Sequence, residues 1–456
     1  MNTIPRIHSD AGKRKPRCRF DYTAMIVVSM LGLPRLLEAA TTELRSPDGR
    51  NVIQVITSEE TEGVPRYVVS RDGQEIIRSS AILPVLAEGV AIKSRMIDVS
   101  RGEVNEQFPF EFGKNSQIVN RCRYGVVTLR TQLNLTWEIE LRAYDDGVAF
   151  RYRFPKQDAR QHLEIQDEWT QFDIAGHPNA LFNTLSSFTT SHESPYSRKA
   201  FSDVPSGTLI DMPLLLVWPE KCAAAITEAR VRSFSNACLE RPSADKTMLR
   251  CRLSPAANRK NISVASDLPC ESPWRVVLLG DVAGELLESD LLLCLNDAPV
   301  GDYQWLRPGK TTWHWWNGAF EKDHELPQES TVSLDRHKRY IDFCADNNIA
   351  YHAVAGDGLA WYRQSKQPGK GYGKPAADAD VTRARDEIQL PKILDYAKQR
   401  GVGIRLWVHW KPLSEQLEDA FTLYESWGVK GLMVDFLNRD DQEMVEFIER
   451  MLLTAR

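Results

Sequence analysis

The stretch Gly431-Leu432-Met433-Val434-Asp435-Phe436-Leu437-Asn438-Arg439-Asp440-Asp441-Gln442-Glu443 decides the fold, because an apolar run ends in a carboxylate just before a helix begins. Leu432 to Val434 predict a buried parallel strand. Asp440 with Glu443 resembles a capping box that opens a helix. The apolar stripe of that helix comprises Met444, Phe447, Ile448, Met451 and Leu452. A strand that ends at Asp435 places this carboxylate where barrel enzymes keep catalytic residues, although it can also merely accept a hydrogen bond from a loop amide.

Three further strand patterns precede this one, at 313–317, 351–357 and 403–410. Helical patterns separate them, and Gly401 is expected to end the second helix. Such alternation predicts a parallel sheet, and the carboxyl ends of its strands line one site. The polar or aromatic residues at these ends are Asn317, Asp357, His409 with Trp410, and Asp435.

The middle of the chain, about 46–295, has the pattern of an all-β domain. Short alternating runs such as Val126-Val127-Thr128-Leu129 are separated by turn residues, as in a β-sandwich. Residues 296–310 are expected to be a linker, and 311–456 the second domain. The polar, Gly- and Pro-rich segment 363–386 is long enough to be a functional loop on the face of the strand ends.

The amino-terminal residues 1–45 contain a possible secretory signal. A basic segment at 13–19 precedes the apolar run 24–33, which is too short to span a membrane, so no transmembrane segment is expected. A signal implies a periplasmic or secreted protein. Pro34, Arg35 and Glu38 fit a signal poorly, and a cytoplasmic protein is the alternative.

Composition narrows the class of function. With 456 residues, 42% of them hydrophobic, the chain can form two domains with proper cores. The net charge of −5 predicts no nucleic-acid partner. The eight cysteines show no zinc-site spacing and leave disulfide pairing open.

The chain resembles glycoside hydrolase family 97 from about Ser46 onward. The resemblance rests on Pro308-Gly309-Lys310 with the tryptophans at 313–316, on Trp407-Val408-His409-Trp410, and on Val434-Asp435-Phe436 with 439–444. Ser46-Pro47-Asp48-Gly49 and 138–149 resemble the amino-terminal domain of the family. The resemblance implies a β-sandwich (supersandwich) domain followed by a (β/α)8 TIM barrel, and hydrolysis of terminal α-glycosidic bonds.

The resemblance also implies a role for Asp435. Retaining members of the family carry their nucleophilic aspartate at this position, whereas inverting members have glycine here and a glutamate base where this chain has Trp410. A retaining α-galactosidase is therefore expected, with an α-glucosidase as the alternative. Met433 and the turn Gly356-Asp357-Gly358-Leu359 depart from the family pattern and leave the substrate preference open. The residues expected to bind the sugar are Trp315, Trp316, Asp357, His409 and Trp410.

The segment His192-Glu193-Ser194-Pro195-Tyr196 resembles the one through which the amino-terminal domain of the family contributes a glutamate to a calcium site. Calcium is therefore an expected cofactor, with Glu193 as one ligand. A single glutamate is also common as a solvated loop charge, because calcium needs several oxygen ligands.

Arg456 follows the helix after the fourth predicted strand, so about half of an eight-stranded barrel is expected to be absent, and the general acid of the family with it. The expected alternative to an enzyme is thus an inactive fragment that only binds carbohydrate. A second rival is a metal-dependent hydrolase that uses His314, His352 and His409. Single histidines without an H-x-H pair argue against a metal site.

Overall fold

The computed structural model describes residues 40–58, 61–87, 93–242, 247–298, 303, 305–314, 333–356, 359–371 and 373–456. Residues 1–39 of the expected leader and the predicted sugar-binding residues Trp315, Trp316 and Asp357 lie outside the described residues, whereas residues 40–45 form a strand of the amino-terminal domain.

The amino-terminal part of the structure is rich in β-strands, as the alternating pattern predicted. In the strand Arg66–Arg71, for example, Tyr67 and Val69 are buried, while Arg66, Val68 and Ser70 are half-buried. The strands are β1 (Ala40–Arg45), β2 (Asn51–Thr57), β3 (Arg66–Arg71), β4 (Gln74–Ala81), β5 (Pro84–Leu86), β6 (Ser94–Pro109), β7 (Gln117–Thr131), β8 (Thr136–Tyr144), β9 (Gly147–Phe154), β10 (His162–Glu168), β11 (Gln171–Ile174), β12 (Asn179–Phe182), β13 (Thr184–Leu185), β14 (Ser197–Ala200), β15 (Leu209–Ile210), β16 (Leu214–Trp218), β17 (Cys222–Ala229), β18 (Ala237–Glu240), β19 (Met248–Leu253), β20 (Val264–Asp267), β21 (Cys270–Glu271) and β22 (Trp274–Gly280).

These strands form two large antiparallel sheets and a small one. The first large sheet has the order β1-β2-β3-β4-β11-β19-β18-β15-β13, and the second has the order β14-β12-β16-β17-β22-β9-β8-β7-β6 with β21 beside β9. The small sheet has the order β20-β10-β5. The two large sheets pack face to face over one apolar core, in which the rings of Tyr67 and Phe150 lie 4.6 Å apart. This is the packing of a β-sandwich.

The second part of the structure contains a parallel sheet whose strand order follows the chain. Its strands are β23 (Thr311–Trp313), β24 (Tyr351–Val354), β27 (Gly403–His409) and β28 (Gly431–Asp435), and the segment between β24 and β27 adds a hairpin of β25 (Tyr362–Arg363) and β26 (Asp380–Ala384). The α-helices within the described residues are α1 (Glu285–Glu288), α2 (Leu291–Cys294), α3 (Leu334–Asp346), α4 (Leu390–Arg400), α5 (Trp410–Glu415), α6 (Leu417–Ser426) and α7 (Gln442–Thr454). The predicted alternation of strand and helix is confirmed, while closure into a barrel stays a prediction.

Helices α4 and α7 test the sequence signals for helix ends and for the buried helix face. Gly401 ends α4 with a left-handed φ of +70°, as predicted. The predicted cap of α7 was wrong by one residue, because Asp441 and not Asp440 accepts the hydrogen bond from the N–H of Met444, over 3.3 Å. Leu452, expected in the buried stripe of α7, is 62% exposed.

Helix α7 packs against the sandwich through its first turn. The side chain of Gln442 accepts a hydrogen bond from the N–H of Ala265 over 2.9 Å and donates to the carbonyl oxygens of Ala265 and Ser233. Farther along the helix, Glu449 forms an ion pair with Arg232. The segment that follows Asp435 is therefore in direct contact with the amino-terminal domain.

The described residues contain no disulfide bond and no helix that could span a membrane. No helix in this part of the chain is long and apolar enough to cross a membrane. Its cysteines are free thiols: Cys122, Cys222, Cys238, Cys251, Cys270, Cys294 and Cys344.

Candidate active site

Asp435 is the last residue of β28, and its carboxylate is half-buried. Oδ1 accepts a hydrogen bond from the N–H of Phe436 over 2.7 Å, and Oδ2 accepts one from the indole Nε1–H of Trp407 over 2.8 Å. Each oxygen of an ionised carboxylate can accept more than one hydrogen bond, so these two donors orient the group without using up its lone pairs. The arrangement suits a carboxylate that must present one oxygen to a substrate.

Trp407 is a site residue that the sequence analysis did not single out. It is fully buried on β27, the strand beside β28, and its carbonyl oxygen accepts a hydrogen bond from the indole of Trp361 over 2.7 Å. The parallel register pairs His409 with Asp435, so Trp407 lies two residues before that pair on the same face of the sheet. The spacing of two residues between Trp407 and His409 was the signal that could have predicted this contact. A tryptophan in an apolar strand is, however, also an ordinary core residue.

Phe436 directly follows the carboxylate and has a left-handed φ of +62°. Such a conformation is uncommon for a residue other than glycine, and it persists only where surrounding contacts hold it. Its ring stacks on the imidazole of His409, with centroids 5.3 Å apart. A Cβ on Gly373 would lie 2.8 Å from the Phe436 ring, so the loop between β25 and β26 can approach this ring so closely because Gly373 has no side chain.

His409 is buried at the end of β27, next to Asp435 in the sheet. Its Nδ1 accepts a hydrogen bond from the N–H of Lys411 over 3.1 Å. Burial lowers the pKa of His409 to about 4, against the opposing effects of a hydrogen bond with the Gly373 backbone and the charge of Asp435. His409 is therefore a neutral ring that supports Phe436, and its contact with a sugar stays a prediction.

Trp410, the first residue of α5, is half-buried and lies beside the segment after Asp435. The guanidinium of Arg439 lies 5.8 Å from the centre of its ring, and the ring of Phe447 lies 6.1 Å away. The structure thus brings Trp410, His409 and Asp435 together. Trp410 as a sugar-binding residue stays a prediction.

His192 of the sandwich reaches the segment after Asp435. Its Nδ1 lies 2.8 Å from Oδ2 of Asp211, and its Nε2 lies 2.9 Å from Oδ2 of Asp440. Burial favours the neutral ring, but the hydrogen bond to Asp211 and the charge of Asp440 outweigh it and raise the pKa of His192. Glu193, the predicted calcium ligand, follows directly and is exposed.

The two other histidines of the rival metal site lie in a different cluster. Both ring nitrogens of His352 form hydrogen bonds of 2.8 Å. Nδ1 is bonded to Oγ1 of Thr312, and Nε2 to Nδ1 of His337. The ring of His314 lies 6.0 Å from that of His337. Within the described residues there is no group of three or more histidine, cysteine or acidic side chains placed to hold a metal ion.

A cleft of about 570 Å³ lies along the hairpin of β25 and β26. Its walls carry both signs of charge, from Arg363, Lys366, Asp378, Asp380, Arg383 and Asp386 among others. None of the described site residues lines it. We place the site at the end of β28, because the oriented carboxylate lies there.

Comparison with known proteins bears on both parts of the chain. The sequence model of the glycosyl-hydrolase 97 N-terminal domain matches residues 44–298, and that of glycoside hydrolase 97 matches residues 315–456. A retaining alpha-galactosidase of Bacteroides thetaiotaomicron is 27% identical over 432 residues, which cover 89% of this chain and 61% of that protein. A probable retaining alpha-galactosidase of Streptomyces bingchenggensis is 25% identical over 92% of this chain and 61% of its own length.

Solved structures share the fold. A glycoside hydrolase family 97 enzyme from Pseudoalteromonas sp. strain K8, in complex with acarbose, superposes with a TM-score of 0.80 at 22% identity over 91% of this chain and 64% of its own. A beta-arabinopyranosidase superposes with a TM-score of 0.74 at 20% identity over 91% of this chain and 65% of its own. The chain spans about three fifths of the length of the curated relatives it matches. Because the family's own sequence models match both the sandwich and the parallel-sheet region, in the same order, the chain belongs to glycoside hydrolase family 97.

Proposed function

We propose that the chain hydrolyses terminal α-glycosidic bonds, with α-galactosides preferred, by a retaining mechanism in which Asp435 is the nucleophile. The observation that carries the proposal is the half-buried carboxylate at the end of β28, oriented by the N–H groups of Phe436 and Trp407. The four parallel strands are proposed as the first half of a (β/α)8 barrel, whose catalytic residues lie at the strand ends.

In the first step, an oxygen of Asp435 attacks the anomeric carbon from the face opposite the leaving group. The bond from that carbon to the glycosidic oxygen breaks, and the leaving oxygen takes a proton from a second carboxyl group, which lies about 5–5.5 Å away in retaining enzymes. Water then releases the sugar from Asp435. We assign no residue of the described part of the chain to the second carboxyl role.

The preference for α-galactosides rests on the relatives. Both curated proteins named above are described as retaining alpha-galactosidases, one of them as probable. An α-glucosidase is the alternative. Trp410, with Trp315 and Trp316, is proposed to stack on the sugar ring, and Asp357 with His409 to hold its hydroxyl groups.

The nucleophile can be tested without a proton donor. With 2,4-dinitrophenyl α-galactoside, the leaving group departs unprotonated, so the purified chain should release a burst of dinitrophenolate and form a galactosyl ester on the peptide that contains Asp435, seen by mass spectrometry. Asp435→Asn should abolish both signals, and Glu443→Gln, an exposed carboxylate in the same segment, should retain them.

Two outcomes would contradict the assignment. Tight binding of galactosides without a burst would favour the alternative, a protein that only binds carbohydrate. An α-anomer consumed with release of the β-anomer, followed by proton magnetic resonance, would indicate inversion and exclude a nucleophilic Asp435.

Removal of the nucleophile should make the reaction depend on an external one. Asp435→Gly is expected to lose turnover of the activated substrate and to regain it with azide, which occupies the vacated side and gives a β-galactosyl azide. An α-azide product would place the nucleophile elsewhere.

Calcium is proposed as a cofactor, with Glu193 as one of its ligands. Glu193 is exposed next to His192, at the boundary of the sandwich and the parallel-sheet region, but the described residues alone do not assemble a metal site. No catalytic step above uses the ion. If Glu193 is a ligand, calcium should raise the thermal midpoint of the protein, since a ligand that binds only the folded state stabilises it, and Glu193→Gln should remove the shift.

A further inference from the structure

We propose that His192 is a positioning residue that anchors the segment Phe436–Asp440, and through it the carboxylate of Asp435, to the sandwich. The catalytic part of this inference rests on the proposed function. Its structural part, the anchoring of the segment, stands independently.

The imidazole of His192 is held on both sides. Asp211 lies at Nδ1 and Asp440 at Nε2, and each contact is shorter than 3 Å. Asp211 belongs to the sandwich and Asp440 to the segment after Asp435, so the two contacts of this one ring tie the segment to the sandwich.

Hydrogen bonds within the sandwich hold the imidazole of His192 in position. Asp211 is itself held, because its Oδ1 accepts the N–H of Met212 over 3.0 Å and its own N–H donates to the carbonyl oxygen of Asn183. The side chain of Asn183 donates to the carbonyl oxygen of His192, whose φ is +60°. A left-handed conformation held by these contacts aims the ring at Asp440.

The anchor acts on a short and constrained segment. Asp440 receives His192 on its carboxylate and the N–H of Asn236 on its carbonyl oxygen, over 3.0 Å. Toward the site, the N–H of Asn438 donates to the carbonyl oxygen of Phe436, whose own N–H donates to Asp435. Since the left-handed Phe436 must be held by its surroundings, an anchor at Asp440 supports the N–H that orients the carboxylate.

Hydrogen exchange tests the anchoring on the chain itself. In His192→Ala, the amides of the peptide that covers 436–441 should exchange roughly tenfold faster or more, because the segment opens locally. His192→Gln keeps one donor and should restore part of the protection. His162→Ala removes a histidine that pairs with Asp267 on the surface of the sandwich domain and should leave the peptide unchanged.

Kinetics with the dinitrophenyl substrate test the positioning. A displaced nucleophile lowers kcat by up to about 10²-fold, so His192→Ala should lower kcat with KM within twofold of the wild type, and His192→Gln should recover part of the loss. Unchanged exchange at 436–441, or an equal change in His162→Ala, would overturn the proposal. A change in KM alone would assign His192 to substrate binding. If the wild type is inactive, the proposed function fails while the exchange experiment still decides the anchoring.

Discussion

The sandwich and the parallel-sheet region each bury a polar cluster, and the two clusters differ in charge. In the sandwich, the guanidinium of Arg275 is completely buried between Glu168, at 2.6 Å, and Glu228, at 2.5 Å. In the parallel-sheet region, half-buried Thr312 and the buried His352 and His337 form a chain of hydrogen bonds. One cluster is built from ions and the other from neutral rings.

The two clusters therefore respond to protons in opposite directions. Burial raises the pKa of Glu228 to about 7, although the charge of Arg275 opposes the shift. Burial, with a smaller contribution from His314, lowers the pKa of His337 to about 3 and holds that of His352 well below its usual value. Each buried ion of the sandwich cluster depends on its partner, because removal of one partner leaves a buried charge unpaired. By contrast, the two donors described at the half-buried carboxylate of Asp435 carry no charge.

The largest effect is expected from Arg275→Met, which leaves two glutamates buried without their cation. Breaking a buried ion pair by removing one partner typically costs about 3–5 kcal/mol, and we expect a loss of this size in urea unfolding followed for the sandwich. Arg45→Ala, at an ion pair whose arginine is 54% exposed, should cost no more than about 1 kcal/mol. Equal losses for the two variants would show that the buried cluster does not stabilise the sandwich.

An intermediate effect on the stability of the parallel-sheet region is expected when the pH is lowered. An unfolded histidine binds a proton near pH 6.5, whereas folded His337 binds one only near pH 3, so the stability it contributes is complete above pH 6.5 and is lost as the pH falls toward 3. The slope is at most about 1.4 kcal/mol per pH unit for each histidine. Hydrogen exchange at pH 4–7 should show it in β24 and α3, and His337→Gln should reduce it. A slope of the same size in β17 and β22 would remove the contrast between the regions.

The smallest effect is expected for Glu228→Gln. Because the folded pKa of Glu228 is raised, its contribution is present below pH 4.5 and is lost as the pH rises through 7. The glutamine variant cannot titrate, so its difference in stability between pH 5 and pH 8 should be smaller than that of the wild type, by roughly 2 kcal/mol. Chemical denaturation at the two pH values measures this difference. An unchanged difference would show that Glu228 does not titrate in this range.

The sequence predicted the β-rich amino-terminal part, the alternation of parallel strands with helices, and the position of Asp435 at a strand end. These features follow from hydrophobic periodicity and from local stop signals such as Gly401, and both act over a few residues. The family resemblance added the expected role of Asp435. Its motifs at the ends of β27 and β28 lie side by side in the structure.

Only the tertiary structure decided what each polar group at the site contacts. Glu443 favoured Asp440 as the cap signal, yet Asp441 caps α7 and Asp440 contacts His192, 248 residues earlier in the chain. From the sequence alone, Trp407 is interpreted as a core residue. In the structure, its indole N–H donates to Asp435 of the neighbouring strand β28. A sequence pattern reports burial and local hydrogen bonding, whereas partners from distant segments depend on how the sandwich and the parallel sheet pack, and that packing has no period in the sequence.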